Sequence, residues 1–238
     1  MLGGAQRRVA VVSMVLVLAS VVVPLVTSPP RAGAVVASST SWVQLATRSP
    51  LPREGAAMAY DSATGTVILF GGLSGSQYRN DTWSWSGTSW TQLTPATSPS
   101  PRTGASMVFD PETGDIVLFG GESSGVSLSD TWVWNGVTWT NVTPTTSPTA
   151  RYDAAMTYDA ATSSVVLFGG FNGSFLGDTW TWNGTTWAQL SPAASPSPRY
   201  LASMVYDAAT NDVVLFGGLD HSGSPLGDTW TWNGTNWT

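Results

Sequence analysis

The sequence contains no cysteine, no lysine and a single histidine. Without cysteine there are no disulfides, thiol nucleophiles or thiolate metal sites. Without lysine there is no Schiff-base chemistry, and His221 alone allows at most one Ser-His-Asp site. Charge is scarce too, at 10% of residues, and the nine basic residues are all arginine against fifteen acids. Arg7, Arg8 and Arg31 lie near the N-terminus, so the rest of the chain is more acidic than the formal net charge of −6. Such a body repels phosphate backbones, which argues against a nucleic-acid partner. What the chain does have is 25 Gly, 15 Pro and 13 Trp in 238 residues. That composition, rich in turns and aromatics and poor in helix formers, reads as all-β.

Residues 1–37 read as a secretory signal peptide. Arg7 and Arg8 precede an apolar stretch from Val9 to Val26, and the small-x-small run Ala32-Gly33-Ala34 follows. Cleavage is expected after Ala34 or Ala37. The other reading is a retained anchor, since about 18 apolar residues are marginal for a span. Pro24 and the cleavage signal favour export. No later segment is apolar for long enough to span a bilayer, so the expected product is extracellular with no membrane span.

Residues 38–238 repeat. Gly-Gly stands at 71–72, 120–121, 169–170 and 217–218, after the apolar runs "TVILF", "DIVLF", "SVVLF" and "DVVLF". Asp-Thr-Trp follows at 81–83, 130–132, 178–180 and 228–230, and an arginine opens each unit at 53, 102, 151 and 199. The units run about 52–100, 101–149, 150–197 and 198–238, each one supersecondary module. Within the first, four strands are expected at about 56–60 (a), 66–70 (b), 81–85 (c) and 89–93 (d). Strand b is apolar without alternation, as expected when both its faces are covered. Reading Asn183-Gly184 as a two-residue hairpin turn pairs Trp180 with Trp187 and puts Trp180, Trp182 and Trp187 on one face. Every unit carries the same triplet, so these rings, including Trp83, Trp132, Trp180 and Trp230, are expected to be packing faces between stacked sheets. A sugar-stacking platform would need its rings gathered at one exposed place. Trp42, in "SWVQL" at 41–45, supplies an extra outer strand.

An apolar strand ending in Gly-Gly, a variable loop, Asp-Thr-Trp and a distal Trp at a period near 50 residues resemble the kelch repeat. The resemblance covers the whole of 38–238 and implies a β-propeller of four-stranded blades. Five copies of strand d against four of each other strand do not close a ring, so the expectation is an incomplete ring of four repeats. Similar repeats also build the propeller of galactose-oxidase-like secreted enzymes. The copper site of that family needs histidines and a Tyr–Cys crosslink, which this composition cannot supply. No metal and no cofactor are expected.

Candidate ligand residues follow from what the repeat does not dictate. The b–c loops, 73–80, 122–129, 171–177 and 219–227, differ most between units and carry Tyr78, Phe171, Phe175 and His221. Loops on a rigid scaffold are the usual place for binding. Arg53, Arg102, Arg151 and Arg199 begin strand a, and Asp81, Asp130, Asp178 and Asp228 begin strand c on the same face. Two readings of these arginines stay open: a structural clasp onto the aspartates across the bare glycines, or an anion-binding ring facing a ligand. In kelch-like propellers the matching arginines can face bound peptides. Tyr152 and Tyr200, next to two of them, join the candidate site. The expected function is a secreted, non-catalytic module binding a protein or glycan through the b–c loop face. The alternative is the propeller part of a secreted carbohydrate-active enzyme.

Overall fold

The structure is a computed structural model that describes residues 49–238. The expected signal peptide and the outer strand at 41–45 lie outside the described residues. Blade 1 holds strand a, Ala57–Asp61; b, Thr66–Phe70; c, Thr82–Trp85; and d, Trp90–Leu93, hydrogen-bonded in that order. Blade 2 follows with Ser106–Asp110, Asp115–Phe119, Thr131–Trp134 and Trp139–Asn141, and blade 3 with Ala155–Asp159, Ser164–Phe168, Thr179–Trp182 and Trp187–Leu190. Blade 4 has Ser203–Asp207, Asp212–Phe216 and Thr229–Trp232. Its fourth strand is a bridge between Trp232 and Trp237 with paired Thr231–Thr238 backbone hydrogen bonds. All pairings are antiparallel, and the a strands of consecutive blades stand side by side in chain order, giving the β-propeller arrangement.

Strand b explains its own composition. Ile116, Val117 and Leu118 are all completely buried, because Ile116 and Leu118 face blade 1 while Val117 and Phe119 face blade 3. With both sides covered there is no place for the polar half of an alternating pattern.

The tryptophan triplets do share one face of their sheet, as expected, but their register differs from the expected one. Trp182 pairs with Trp187, Thr181 with Ala188 and Trp180 with Gln189. The loop is therefore four residues, Asn183 to Thr186, not two. The Asn183 side chain fits this loop, its Oδ1 accepting from the Thr185 and Thr186 amides at 3.0 and 2.9 Å in an Asx turn around Gly184 at φ +91°. Blade 1 nevertheless closes the same loop with Ser86, pairing Trp85 with Trp90. The cross-strand aromatic pair is Trp182 with Trp187, centroids 5.3 Å apart, while Trp180 turns its indole N–H to Asp178.

Each blade junction repeats one set of contacts. The strand-d indole crosses to the previous blade, where Trp139, Trp187 and Trp237 donate to Thr82, Thr131 and Thr179 at 3.0, 2.9 and 3.0 Å. Each of these rings also meets a phenylalanine edge-on: Phe70, Phe119 and Phe168, at 5.2, 5.3 and 5.4 Å. Trp134, Trp182 and Trp232 are buried beside them with unpaired indole N–H groups, so their contribution is packing rather than hydrogen bonding.

Candidate functional site

The arginines and aspartates form four copies of one clasp. Arg151 Nη1 donates to Asp178 Oδ1 at 2.6 Å and Nη2 donates to Oδ2 at 2.8 Å. Nη1 also reaches the Gly169 carbonyl at 2.9 Å, Nε the Thr149 carbonyl at 2.9 Å, and Nη2 the Thr149 hydroxyl at 2.9 Å. All five guanidinium N–H groups are thus used within the blade. Arg102 and Arg199 repeat the pattern with Asp130 and Ser100, and with Asp228 and Ser197. Arg53 repeats it with Asp81 but lacks the hydroxyl contact, because Leu51 stands where the others have Ser or Thr. The strand-c indole completes each clasp, Trp83, Trp132, Trp180 and Trp230 donating to their aspartates at 2.6 to 2.8 Å.

This geometry corrects the ligand-binding reading of Arg53, Arg102, Arg151 and Arg199. Their side chains are at most 5% exposed, and in blades 2 to 4 no donor is left for an anion. The guanidinium crosses strand b at the first Gly of the pair, whose carbonyl it binds, and that glycine is required by the next blade. A Cβ on Gly169, at φ +70°, would stand 2.4 Å from the Arg199 carbonyl oxygen. Burial pushes the Asp130 and Asp178 carboxyls up, but the arginine hydrogen bonds and charge and the indole N–H outweigh it and hold both below the usual carboxylate range.

Inside the clasps a backbone ring passes from blade to blade. The Gly104 amide donates to Gly55, Asp153 to Gly104 and Leu201 to Asp153, at 2.8, 2.8 and 3.0 Å. All four residues sit at left-handed φ, +60° and +64° for the glycines, 52° for Asp153 and 58° for Leu201. Blades 1 and 2 meet that requirement with glycine, whereas blades 3 and 4 place side chains there at a backbone cost of about 1–2 kcal/mol each. Sequence reasoning missed this position. Its signal was the sequence Gly, Gly, Asp, Leu two residues after each clasp arginine.

Around this ring the face divides in two. On one side Glu122 accepts from the Tyr78 hydroxyl at 2.8 Å and from the Gly125 amide, which ties the short b–c hairpin of blade 1 to that of blade 2. Glu54, Glu122, Tyr152, Asp153 and Leu201 line one depression there. No described side chain or backbone group donates to the Asp153 carboxylate. Burial, then the charge of Glu122, pushes it up to about 6.

On the other side Phe171, Phe175 and Tyr200, with Tyr152 shared between the two sides, form a half-buried aromatic cluster. Phe171 lies 5.7 Å from Tyr152, 4.9 Å from Phe175 and 5.6 Å from Tyr200, and Phe175 lies 5.5 Å from Tyr200. The expected residues from two b–c loop positions and two clasp neighbours are therefore brought together. Exposed His221 lies beside the cluster, in a groove it shares with Phe175, Pro198, Asp220 and Leu226. Tyr78 is drawn to the acidic side.

The repeated strand, glycine pair, clasp and indole together specify one fold family, and the KLHDC2/KLHL20/DRC7 Kelch-repeats domain matches residues 34–183. The chain belongs to the Kelch-repeat family. No curated protein matches it closely enough to count as a relative. Kelch propellers commonly serve as protein-interaction modules. In this Kelch chain, no helix of the described residues is long and apolar enough to cross a membrane.

Proposed function

We propose that the chain is an exported, non-catalytic Kelch module that binds a protein segment at the b–c loop face, between the aromatic cluster and the Asp153 depression. The observation that carries this reading is the joining of Tyr152, Phe171, Phe175 and Tyr200, which the repeat does not require, on a scaffold whose repeated arginines and aspartates are committed to clasps. Half-buried rings beside unsatisfied carboxylates suit apolar and basic side chains of a peptide. The rings stand at 41° to 73° to one another, so the four do not form one continuous flat platform. Export rests on the N-terminal sequence, with its arginine pair, apolar stretch and small-residue cleavage signal.

Panning a random peptide library on the purified chain tests this. The expected outcome is enriched peptides whose affinity falls at least tenfold on Phe175→Ala or Tyr200→Ala, with an unchanged melting midpoint. Peptides indifferent to both substitutions would refute the site. Glycan-array binding that depends on the same residues, with no peptide enrichment, would replace the protein ligand by a carbohydrate and revive the enzyme alternative.

A further inference from the structure

Phe175 has two sets of neighbours. In the aromatic cluster its ring lies 4.9 Å from Phe171 and 5.5 Å from Tyr200. It also lines the groove that holds His221, a space of about 590 Å³ between the b–c loops of blades 3 and 4, where Pro198 and Leu226 are the other large apolar residues. Every residue of that groove lies between 173 and 226, so both of its walls belong to described blades. Its volume falls in the range of about 300–1,000 Å³ in which pockets enclose small ligands, and it takes a large side chain together with the backbone that carries it.

The walls are set before anything enters. Asp220 Oδ1 accepts from the Ser222 amide at 2.8 Å, the Ser222 hydroxyl at 2.6 Å and the Ser224 amide at 3.0 Å, while the Asp220 amide donates to the Ser224 carbonyl at 3.1 Å. The blade 4 loop is thereby closed on itself. In the blade 3 loop the Asn172 side chain accepts from the Ser174 amide at 3.2 Å, and the Asn172 amide donates to the Ser174 carbonyl at 3.2 Å. The Ser197 hydroxyl, also in the lining, accepts from Arg199 at 2.9 Å. With these polar groups taken up by the protein itself, Phe175, Pro198 and Leu226 are the contacts on offer, and a preformed apolar wall spares a ligand part of the cost of ordering it.

At the other end of the cluster lies the depression of Glu54, Glu122 and Asp153, lined by three carboxylates and no cation. Tyr152 belongs to that depression and Phe175 to the groove, and both lie against Phe171, at 5.7 and 4.9 Å. An extended chain advancing roughly 3.3 Å per residue covers those two steps in about three or four residues. On the peptide-binding reading above, on which this rests, we infer that the partner segment is extended and carries a Lys or Arg for the Asp153 depression and, about three to five positions away, a large apolar side chain for the groove between blades 3 and 4. Leu226 and Pro198 then select the apolar residue, Asp153 selects the cation, and the rings of the cluster hold the stretch between them.

Sequencing the peptides that panning enriches should show a Lys or Arg three to five positions from a Trp, Phe, Leu or Met. For one such peptide, fluorescence anisotropy with the purified chain should show at least a tenfold loss of affinity on Leu226→Gln, with the melting midpoint kept. Blade 1 carries Arg79 at the corresponding position, with the same amide bond to the second glycine's carbonyl, so the fold accepts a polar side chain there. Changing the peptide's apolar residue to Ala should remove the effect of Leu226→Gln and leave that of Asp153→Asn; changing its cationic residue to Gln should do the reverse. Peptides that depend on Phe175 and Tyr200 but show no such spacing and bind Leu226→Gln at full affinity would overturn this inference and leave the binding site standing. No enriched peptide at all would overturn both.

Discussion

Asp153 and Asp178 belong to the same blade and the same face of the propeller, and they behave in opposite ways. Asp178 takes two hydrogen bonds from Arg151 and one from Trp180, which hold its carboxyl below the usual range. Asp153, two residues beyond that arginine, receives no donor among the described residues and is pushed up to about 6 by burial and by Glu122. Asp178 has a counterpart in every blade, whereas the counterparts of Asp153 are Gly55, Gly104 and Leu201. The lesson is that repetition marks the groups that complete the scaffold, and departure from it marks groups left open to something else.

The largest test of this contrast removes a clasp. Arg151→Ala leaves Asp178, the Gly169 carbonyl and Thr149 without their partner, and is expected to lower unfolding free energy by about 3 kcal/mol. Urea denaturation measures it; a loss under about 1 kcal/mol, the scale of an exposed ion pair, would place Arg151 on the ligand side of the comparison.

Acid should separate the two aspartates by sign. The folded pKa values of Asp81, Asp130 and Asp178 are depressed, so their contribution is present above the unfolded value of about 4 and is lost as pH falls through the folded values. The folded pKa of Asp153 is raised, so its contribution is present below about pH 4 and is lost as pH rises through about 6. A smaller effect follows from the same signs. Asp153→Asn keeps the size of the side chain and tolerates left-handed φ, so at pH 7 it should stabilise the fold by about 1 kcal/mol, less than the raised pKa alone implies because water screens a half-buried carboxylate. That gain should vanish below pH 4; a gain that persists there would mean that charge is not its cause.

How far these features could be read in advance depended on how local their causes are. The clasps were legible because equal numbers of Arg and Asp recur in register on either side of Gly-Gly, and a strand spacing converts that into a reach. Burial of strand b was legible from "DIVLF", with no polar alternation. The pairing of Trp182 with Trp187 was not, because the same stretch can close as a two- or a four-residue loop, and the four-residue loop forms with Asn183 and with Ser86 alike. Nor was the step from Trp187 to Thr131, since the stagger of one blade on the next sets it and no sequence spacing within a unit records it. The aromatic cluster was half legible: variable loops singled out Phe171 and Phe175, but the approach of Tyr200 from the next blade depends on the ring through Asp153 and Leu201.

Loop exchange tests the division most directly. Replacing residues 171–177 by the blade 2 loop 122–129 keeps the backbone pairing to strand a, because Glu122 bonds Thr103 as Phe171 bonds Tyr152, but removes both phenylalanines. Titrating a selected peptide against this variant should show at least a tenfold loss of affinity, with the melting midpoint of the parent chain. Full affinity in the exchanged chain would contradict the claim that the departures from the repeat carry the ligand.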